Sequence, residues 1–265
     1  MSTLGQIVAR TRQTVALRKR DFPLDTVIAA APTPGPRRPL GEALAREGRI
    51  NVIAEFKRRS PSRGTIRDDL HVVRVAQAYE IAGAAALSIL TEEHFFGGSI
   101  DDLQQARAAT LLPTLRKDFV VDPYQIFEAA MAGADAILLI AAVLTGPEIA
   151  SFLKTAEEAG LESLVEVHDR AELERALEAG ARLVGVNSRD LTTMEVRLET
   201  AMALGPLIPE GCVAVAESGI KGPGDIRRLR DLGYDAFLVG EHLMRSPDPG
   251  AALEALREGA EASVP

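Results

Sequence analysis

Short apolar runs in this chain end repeatedly in charged residues. The stretch 51–64, N-V-I-A-E-F-K-R-R-S-P-S-R-G, opens with Val52-Ile53-Ala54 and then sets Glu55 and Lys57 two residues apart. Side chains alternate faces along a strand, so Ile53, Glu55 and Lys57 share one face. Buried there, opposite charges are costly unless they meet partners; at an exposed strand end they make only an ordinary surface ion pair. Recurrence favours the buried reading. Later runs end in Arg116-Lys117-Asp118, Glu166-Val167-His168, Asn187-Ser188-Arg189-Asp190, Glu217-Ser218-Gly219 and Gly240-Glu241. Lys57 and Lys117 can polarise and protonate an oxygen, while Glu55 and Glu166 can hold those lysines charged or move protons. Arg189 suits a forked carboxylate contact. Phe96 and Phe119 supply either apolar walls for a flat ring or plain core packing. His168, one residue before the helix cap Asp169, is read as serving its loop rather than a reaction. No Ser–His–Asp set is present, and spacing assigns no Schiff-base lysine.

The elements that would carry these groups follow from a repeating unit. Five times a helix-like segment ends in a small or apolar residue plus glycine, with an apolar run close behind: Ala82-Gly83, Ala132-Gly133, Ala159-Gly160, Ala179-Gly180 and Leu232-Gly233. Glycine just past a helix closes it in the left-handed conformation. The runs are continuous rather than alternating, as parallel strands buried on both faces should be. Helix starts are marked too: Asp122-Pro123 gives a cap and a first-turn proline, and Thr145 with Glu148 and Asp169 with Glu172 fit capping boxes. Eight strands are expected, near 52–56, 86–90, 114–117, 136–140, 164–167, 183–186, 213–216 and 236–239. That count predicts a single (β/α)8 TIM barrel in preference to an open doubly wound sheet, since no G-x-G-x-x-G follows the first run. Residues 1–40 form an N-terminal helical extension and loop, with an amphipathic helix over Leu4 to Leu17 and a loop over Ala29 to Leu40. Residues 41–265 form the barrel, closing on a helix of about 250–262 in which Ala251, Leu253 and Leu256 can pack.

In such a barrel the functional groups stand at the C-terminal ends of the strands, and phosphate sites lie after strands seven and eight. Ser218-Gly219 offers a hydroxyl and an open backbone N–H, and Gly240 allows close approach of an anion. Each glycine alone fits a tight turn; together, at these strands, they favour phosphate.

Composition removes other classes of function. A net charge of −8 lacks the basic footprint of a nucleic-acid binder. The run from Ala136 to Leu144 is about half of what a membrane span needs. Cys212 is the only cysteine, so no intrachain disulfide forms, and a reducing, cytoplasmic compartment is expected. It stands before an apolar run and reads as core filler. Scattered among four histidines, it makes no metal-ligand spacing.

Six blocks, I-A-E-F-K-R-R-S-P-S-R-G, S-I-L-T-E-E-H-F-F-G-G-S, L-R-K-D-F-V-V-D-P-Y-Q-I-F-E-A, L-V-E-V-H-D, G-V-N-S-R-D-L and A-E-S-G-I, resemble the signature blocks of indole-3-glycerol phosphate synthases, in the usual order. The resemblance covers nearly the whole chain. It implies closure of 1-(2-carboxyphenylamino)-1-deoxyribulose 5-phosphate to indole-3-glycerol phosphate, with loss of carbon dioxide and water, in tryptophan biosynthesis. It implies a carboxy-lyase acting on a small molecule without metal or organic cofactor; a monomer is expected, and charge and hydropathy already argue against nucleic-acid and membrane partners. Lys117 is then the general acid on the substrate carbonyl. Glu166 assists proton removal and stabilises a cationic intermediate, and Lys57 serves phosphate binding and the later dehydration. Glu55 and Asn187 position these groups, Arg189 binds the anthranilate carboxylate, and Glu217 lines the pocket. Ser60, Ser218, Gly219 and Gly240 contact polar groups or phosphate, Glu241 stands beside the phosphate, and Phe96 and Phe119 hold the aryl ring. The chain departs from the commonest pattern at Arg63, Ser188 and Glu241, where many or some relatives carry Lys, Asn and Ser.

Overall fold

Apolar runs with no polar alternation must be covered on both sides, and they are. A computed structural model of the protein, describing residues 2–30 and 37–262, contains eight such strands. These are β1 (Asn51–Phe56), β2 (Ala86–Leu90), β3 (Thr114–Lys117), β4 (Ala136–Ile140), β5 (Glu162–Val167), β6 (Leu183–Asn187), β7 (Val213–Glu217) and β8 (Ala236–Val239). Each pairs in parallel with its chain neighbours, and β1 pairs with both β2 and β8, closing the barrel. The expected strands hold, some lengthened by a residue or two. A closed parallel barrel has no edge strand, so every ladder group inside it is paired.

Alternation along each strand sorts the core into two layers. Ile53, Leu115, Leu138, Leu164, Val215 and Leu238 point inward and pack together. Val52, Ala54, Phe56, Val165, Val184 and Ala216 point outward against the helices. Glu55 therefore shares the barrel interior with Ile53. The twelve helices are α1 (Thr3–Asp21), α2 (Leu24–Ala30), α3 (Leu40–Leu44), α4 (Val72–Ile81), α5 (Ile100–Ala109), α6 (Pro123–Met131), α7 (Gly146–Glu158), α8 (Arg170–Glu178), α9 (Leu198–Leu204), α10 (Pro223–Arg230), α11 (Glu241–Met244) and α12 (Pro249–Glu261), counted among the described residues. The five expected helix-closing glycines all take left-handed φ, +85° at Gly133 for example.

The amino-terminal end of the barrel is plugged by α3, whose Leu40 and Leu44 join the inner core while the Glu162 carboxylate accepts from the Leu40 and Gly41 amides. At the other end, α1 lies across the mouth. It starts at Ser2, whose hydroxyl accepts from the Gly5 amide, and buries Ile7 and Val15. Its basic tail is clamped: Arg18 pairs with Glu128 at 2.9 Å and Glu93 at 2.8 Å, and Lys19 with Asp122 at 2.9 Å.

Three expectations change. The loop over Ala29 to Leu40 yields its first two residues to α2 and its last to α3; residues 31–36 lie outside the described residues. A seven-residue helix ending just ahead of a proline-rich stretch carries too little periodicity to be read. Thr145 and Glu148 form the expected capping box, but Glu172 does not reach back to the cap residue Asp169; its carboxylate accepts from the His168 amide instead, at 2.8 Å. In α12, Leu253 and Leu256 are buried but Ala251 faces out.

Candidate active site

The strand ends converge on one cavity of about 890 Å³. It is lined by all fourteen residues singled out in the sequence: Glu55, Lys57, Ser60, Phe96, Lys117, Phe119, Glu166, Asn187, Arg189, Glu217, Ser218, Gly219, Gly240 and Glu241. A volume of that size accommodates a molecule with an aromatic ring, a short polyol and an anionic group.

Two lysines define the floor. Lys57, just past β1, places Nζ 2.6 Å from Glu55 Oε1. Lys117, the last residue of β3, places Nζ 2.9 Å from Glu166 Oε2 and 2.5 Å from Glu217 Oε2. Burial is the largest influence on Lys117 and would lower its pKa, but Glu166, Glu217 and Glu55 together hold the ammonium above the usual lysine range. Burial likewise works against ionised Glu166, and it is overturned by Lys117 and then His168, which keep the carboxyl well below the usual range. Glu217 goes the other way. Burial dominates, Lys117 opposes it, and the charges of Glu166 and Glu55 tip the balance, so Glu217 is pushed up to about 7. Carboxylates crowded round one ammonium cannot all ionise equally. Glu166, with a second cation beside it, wins.

Space for these carboxylates comes from missing side chains. A Cβ on Gly240 would stand 2.3 Å from Glu55 Oε1, and one on Gly185 in β6 would stand 2.2 Å from Glu217 Oε1. Gly240 was read from sequence as room for an anion; its φ of −126° is ordinary, and the packing constraint at this position is Glu55. By contrast Ser218 (φ +62°) and Gly219 (φ +82°) form a left-handed pair. A serine held there carries strain, of the kind that collects at functional sites.

Across the mouth, three guanidiniums converge on one carboxylate. Glu241 meets Arg63 at 3.1 Å, Arg245 at 3.3 Å and Arg189 at 3.4 Å. Arg189 is further held by Ser62 Oγ and the Met194 carbonyl, and its amide donates to Asn187 Oδ1 at 3.0 Å. This corner, beside Ser218-Gly219 and Gly240, gathers three guanidiniums around one carboxylate, a local excess of positive charge in a chain of net charge −8. The rings of Phe96 and Phe119 sit 6.0 Å apart at 37°, Phe119 buried and Phe96 partly so. They form a tilted aromatic wall.

Several contributors escaped the sequence reading. Leu4 and Ile7 of α1 line the cavity; their helical spacing was visible, their destination was not. Glu92 accepts from the His94, Phe95 and Phe96 amides and so shapes the loop that carries Phe96. Arg116 is fully buried and pairs with Asp118 at 3.0 Å and Glu128 at 2.7 Å, anchoring the strand end next to Lys117. His168, assigned to its loop, does contact Glu172, but its Nε2 also stands 3.2 Å from Glu166 Oε1. Cys212 is half-buried at the amino-terminal end of β7, away from the mouth.

Known proteins resemble this chain over most of its length. A family pattern described as "Indole-3-glycerol phosphate synthase" matches residues 4–256. An indole-3-glycerol phosphate synthase of Carboxydothermus hydrogenoformans is 50% identical over 82% of this chain and 84% of its own length. One from Parafrankia sp. is 47% identical over 94% of this chain and 92% of its own. Among solved structures, 3-hexulose-6-phosphate synthase from Salmonella typhimurium superposes with a TM-score of 0.65 at 15% identity, covering 81% of this chain and all of that one. Thiamine phosphate pyrophosphorylase from Pyrococcus furiosus gives 0.61 at 20% identity, over 82% and 98%; these two share the barrel alone. With the pattern running from α1 to α12 and relatives near half-identical over most of their length, the chain belongs to the indole-3-glycerol phosphate synthase family.

Proposed function

We propose that this protein closes the indole ring: it converts 1-(2-carboxyphenylamino)-1-deoxyribulose 5-phosphate to indole-3-glycerol phosphate, releasing carbon dioxide and water, as a carboxy-lyase of tryptophan biosynthesis. The observation that carries the reading is the joint presence, in one cavity, of two paired lysines, a tilted aromatic wall and a cluster of arginines. Each part of the substrate has a partner. Phe96 and Phe119 receive the aryl ring, Arg189 the carboxylate, and Lys57 with Ser218, Gly219, Gly240 and the Glu241 corner the phosphate end. Ser60 contacts the polyol, and Asn187 orients the Arg189 backbone. Fixing both ends folds the middle into reacting distance.

In the first step the ring carbon bearing the carboxylate attacks the ketone, and a carbon–carbon bond forms as the carbonyl oxygen gains charge. Lys117 donates its proton to that oxygen. An alkoxide is a stronger base than a lysine amine, so the transfer runs downhill even from a lysine held above its usual range. Glu166, kept anionic, offsets the positive charge that develops on the ring and nitrogen. Loss of carbon dioxide then restores aromaticity. Once Lys117 has given up its proton, the cation that held Glu166 down is gone, and Glu166 becomes the better base for the carbon-bound proton that is lost along with the hydroxyl. Lys57, tethered by Glu55, protonates the departing hydroxyl.

Residues 1–40 act as an extension serving the barrel of residues 41–265, with Leu4 and Ile7 roofing the aryl side of the cavity. The lone Cys212 suits a reducing, cytoplasmic compartment, and we read the protein as a monomer. Purified protein supplied with the synthetic ribulose phosphate should generate indole-3-glycerol phosphate fluorescence and stoichiometric carbon dioxide. Glu166→Gln should abolish both while leaving the unfolding transition in place. Turnover near wild type in that variant would remove the role given to Glu166, and no product from the wild type would remove the reading.

A further inference from the structure

The residue before the α8 cap is a titratable group that touches the site without lining the cavity. We propose that His168 is a positioning residue for the reaction above: its imidazolium bridges Glu166 at the barrel mouth to Glu172 on α8, fixing which Glu166 oxygen faces the reacting centre. The inference rests on the synthase reading for its kinetic consequence but on geometry for the bridge itself.

The bridge has two ends. At the outer end, Glu172 Oε2 stands 3.0 Å from His168 Nδ1 and also accepts from the His168 amide at 2.8 Å. Main chain and ring are thereby held by one carboxylate oxygen, which replaces the contact a capping box would have made. At the inner end, Nε2 lies 3.2 Å from Glu166 Oε1. That approach is an ion pair rather than a well-directed hydrogen bond, since Nε2 lacks an aligned acceptor. Glu166 Oε1 is thus committed to His168 and Oε2 to Lys117. A carboxylate gripped on both oxygens by cations from separate elements cannot rotate about its last torsion, and catalytic alignment needs that restriction.

A neutral ring would not do this. A neutral imidazole has one donor and faces acceptors on both sides, so one carboxylate would meet a lone pair. The charged groups facing the ring are Glu166 from β5 and Glu172 from α8, with Asp190 from the β6 loop close enough to feel its charge and Lys117 beyond Glu166. Three of the four are acids. Burial would lower the His168 pKa, but its contacts with Glu166 and Glu172 outweigh burial and push it up to about 10.

The test has a spectroscopic arm and a kinetic arm. Ring-nitrogen NMR of the 15N-histidine-labelled protein, with His168→Gln identifying the signal, should show His168 doubly protonated at pH 8. A neutral His168 ring at that pH overturns the bridge. In kinetics, His168→Gln should lower kcat by about ten- to a hundredfold, the scale of a misplacement of up to 1 Å, with KM within about twofold. It should also move the acid limb of the kcat–pH profile upward, because Glu166 loses a cation. Glu172→Gln, which keeps an acceptor but not the charge, should move both in the same direction by less. A purely structural histidine would lower stability and leave the profile where it was; that result overturns the positioning role. No product from the wild type would sink the synthase reading and this role with it, whereas a neutral ring removes the bridge alone.

Discussion

Replacing Lys117 with methionine removes a charge and keeps most of the stem, so it isolates what the ammonium does. Stranding one partner of a buried ion pair costs about 3–5 kcal/mol, and Lys117 has two such partners, at 2.9 and 2.5 Å. Neither needs to stay stranded. Glu166 keeps His168 on its other oxygen. Glu217 is already pushed up to about 7 with the ammonium beside it; without it, the carboxyl rises further and takes up a proton. A group whose folded pKa lies above its unfolded value contributes stability that is lost as pH rises, since the folded state binds the extra proton. In the wild type that loss ends near pH 7; in Lys117→Met it continues upward. The stability gap between the two should therefore be small and flat between pH 5 and 6.5. Above pH 7 it should widen by about 1.4 kcal/mol per pH unit, reaching up to about 3 kcal/mol more at pH 9. Urea unfolding of both proteins at pH 6, 7 and 9 reads this directly, and activity should fall by about 10²–10⁴-fold throughout. A gap that is already wide at pH 6 and constant to pH 9 would refute proton uptake by Glu217, and with it the account of how three carboxylates share the floor.

Two further changes probe the rest of the mouth. Gly240→Ala should destabilise the protein by about 1–3 kcal/mol, the usual cost of forcing atoms into a packed site, because the new Cβ would meet Glu55 at 2.3 Å. It should also cut kcat as Glu55 releases Lys57, and full activity would show that Glu55 moves without consequence. Arg189→Ala should act mainly on substrate binding, raising KM more than it lowers kcat; an unchanged KM would contradict its assignment to the substrate carboxylate.

Much of the site was legible because a barrel converts sequence position into place. A residue at the C-terminal end of a parallel strand must face the mouth, so Glu55, Lys117, Glu166 and Glu217 could be gathered from eight apolar runs without knowing any distance. What a strand end meets sideways was not legible. Glu172 looked like half of a capping box because spacing alone cannot distinguish a carboxylate reaching the cap amide from one reaching the residue before it. His168 followed that misreading, and its second contact, with Glu166, depended on the ring's orientation. Arg116, noticed only as one of the charges ending the third strand, gave no sign that it would be wholly buried; its partner Glu128 lies on the next helix, a pairing set by the βα turn. Gly240 read as room for an anion and Gly185 drew no reading at all, yet the atoms they make room for belong to carboxylates on other strands.

Those carboxylates raise the question of how a low-dielectric floor tolerates so much charge. The answer is order rather than neutrality. From β7 across the mouth to α8 the side chains run Glu217, Lys117, Glu166, His168, Glu172, with contacts of 2.5, 2.9, 3.2 and 3.0 Å. Signs alternate along the chain, so each interior member has an opposite charge on both sides and its like-charged neighbours are a step further away. Burial weakens screening equally for attraction and repulsion, and alternation makes the attractive distances the short ones. The two ends bear the imbalance differently. Glu172 lies nearer solvent, while Glu217, fully enclosed, eases the strain by moving towards neutrality. In the reaction proposed above, the proton Lys117 passes to substrate removes the cation between Glu217 and Glu166, and the effect reaches both neighbours together: Glu217 is driven to protonate and Glu166 gains basicity. Proton donation by one group thus prepares the next, a coupling that needs no movement of the backbone and depends only on the order in which five side chains are strung across the barrel.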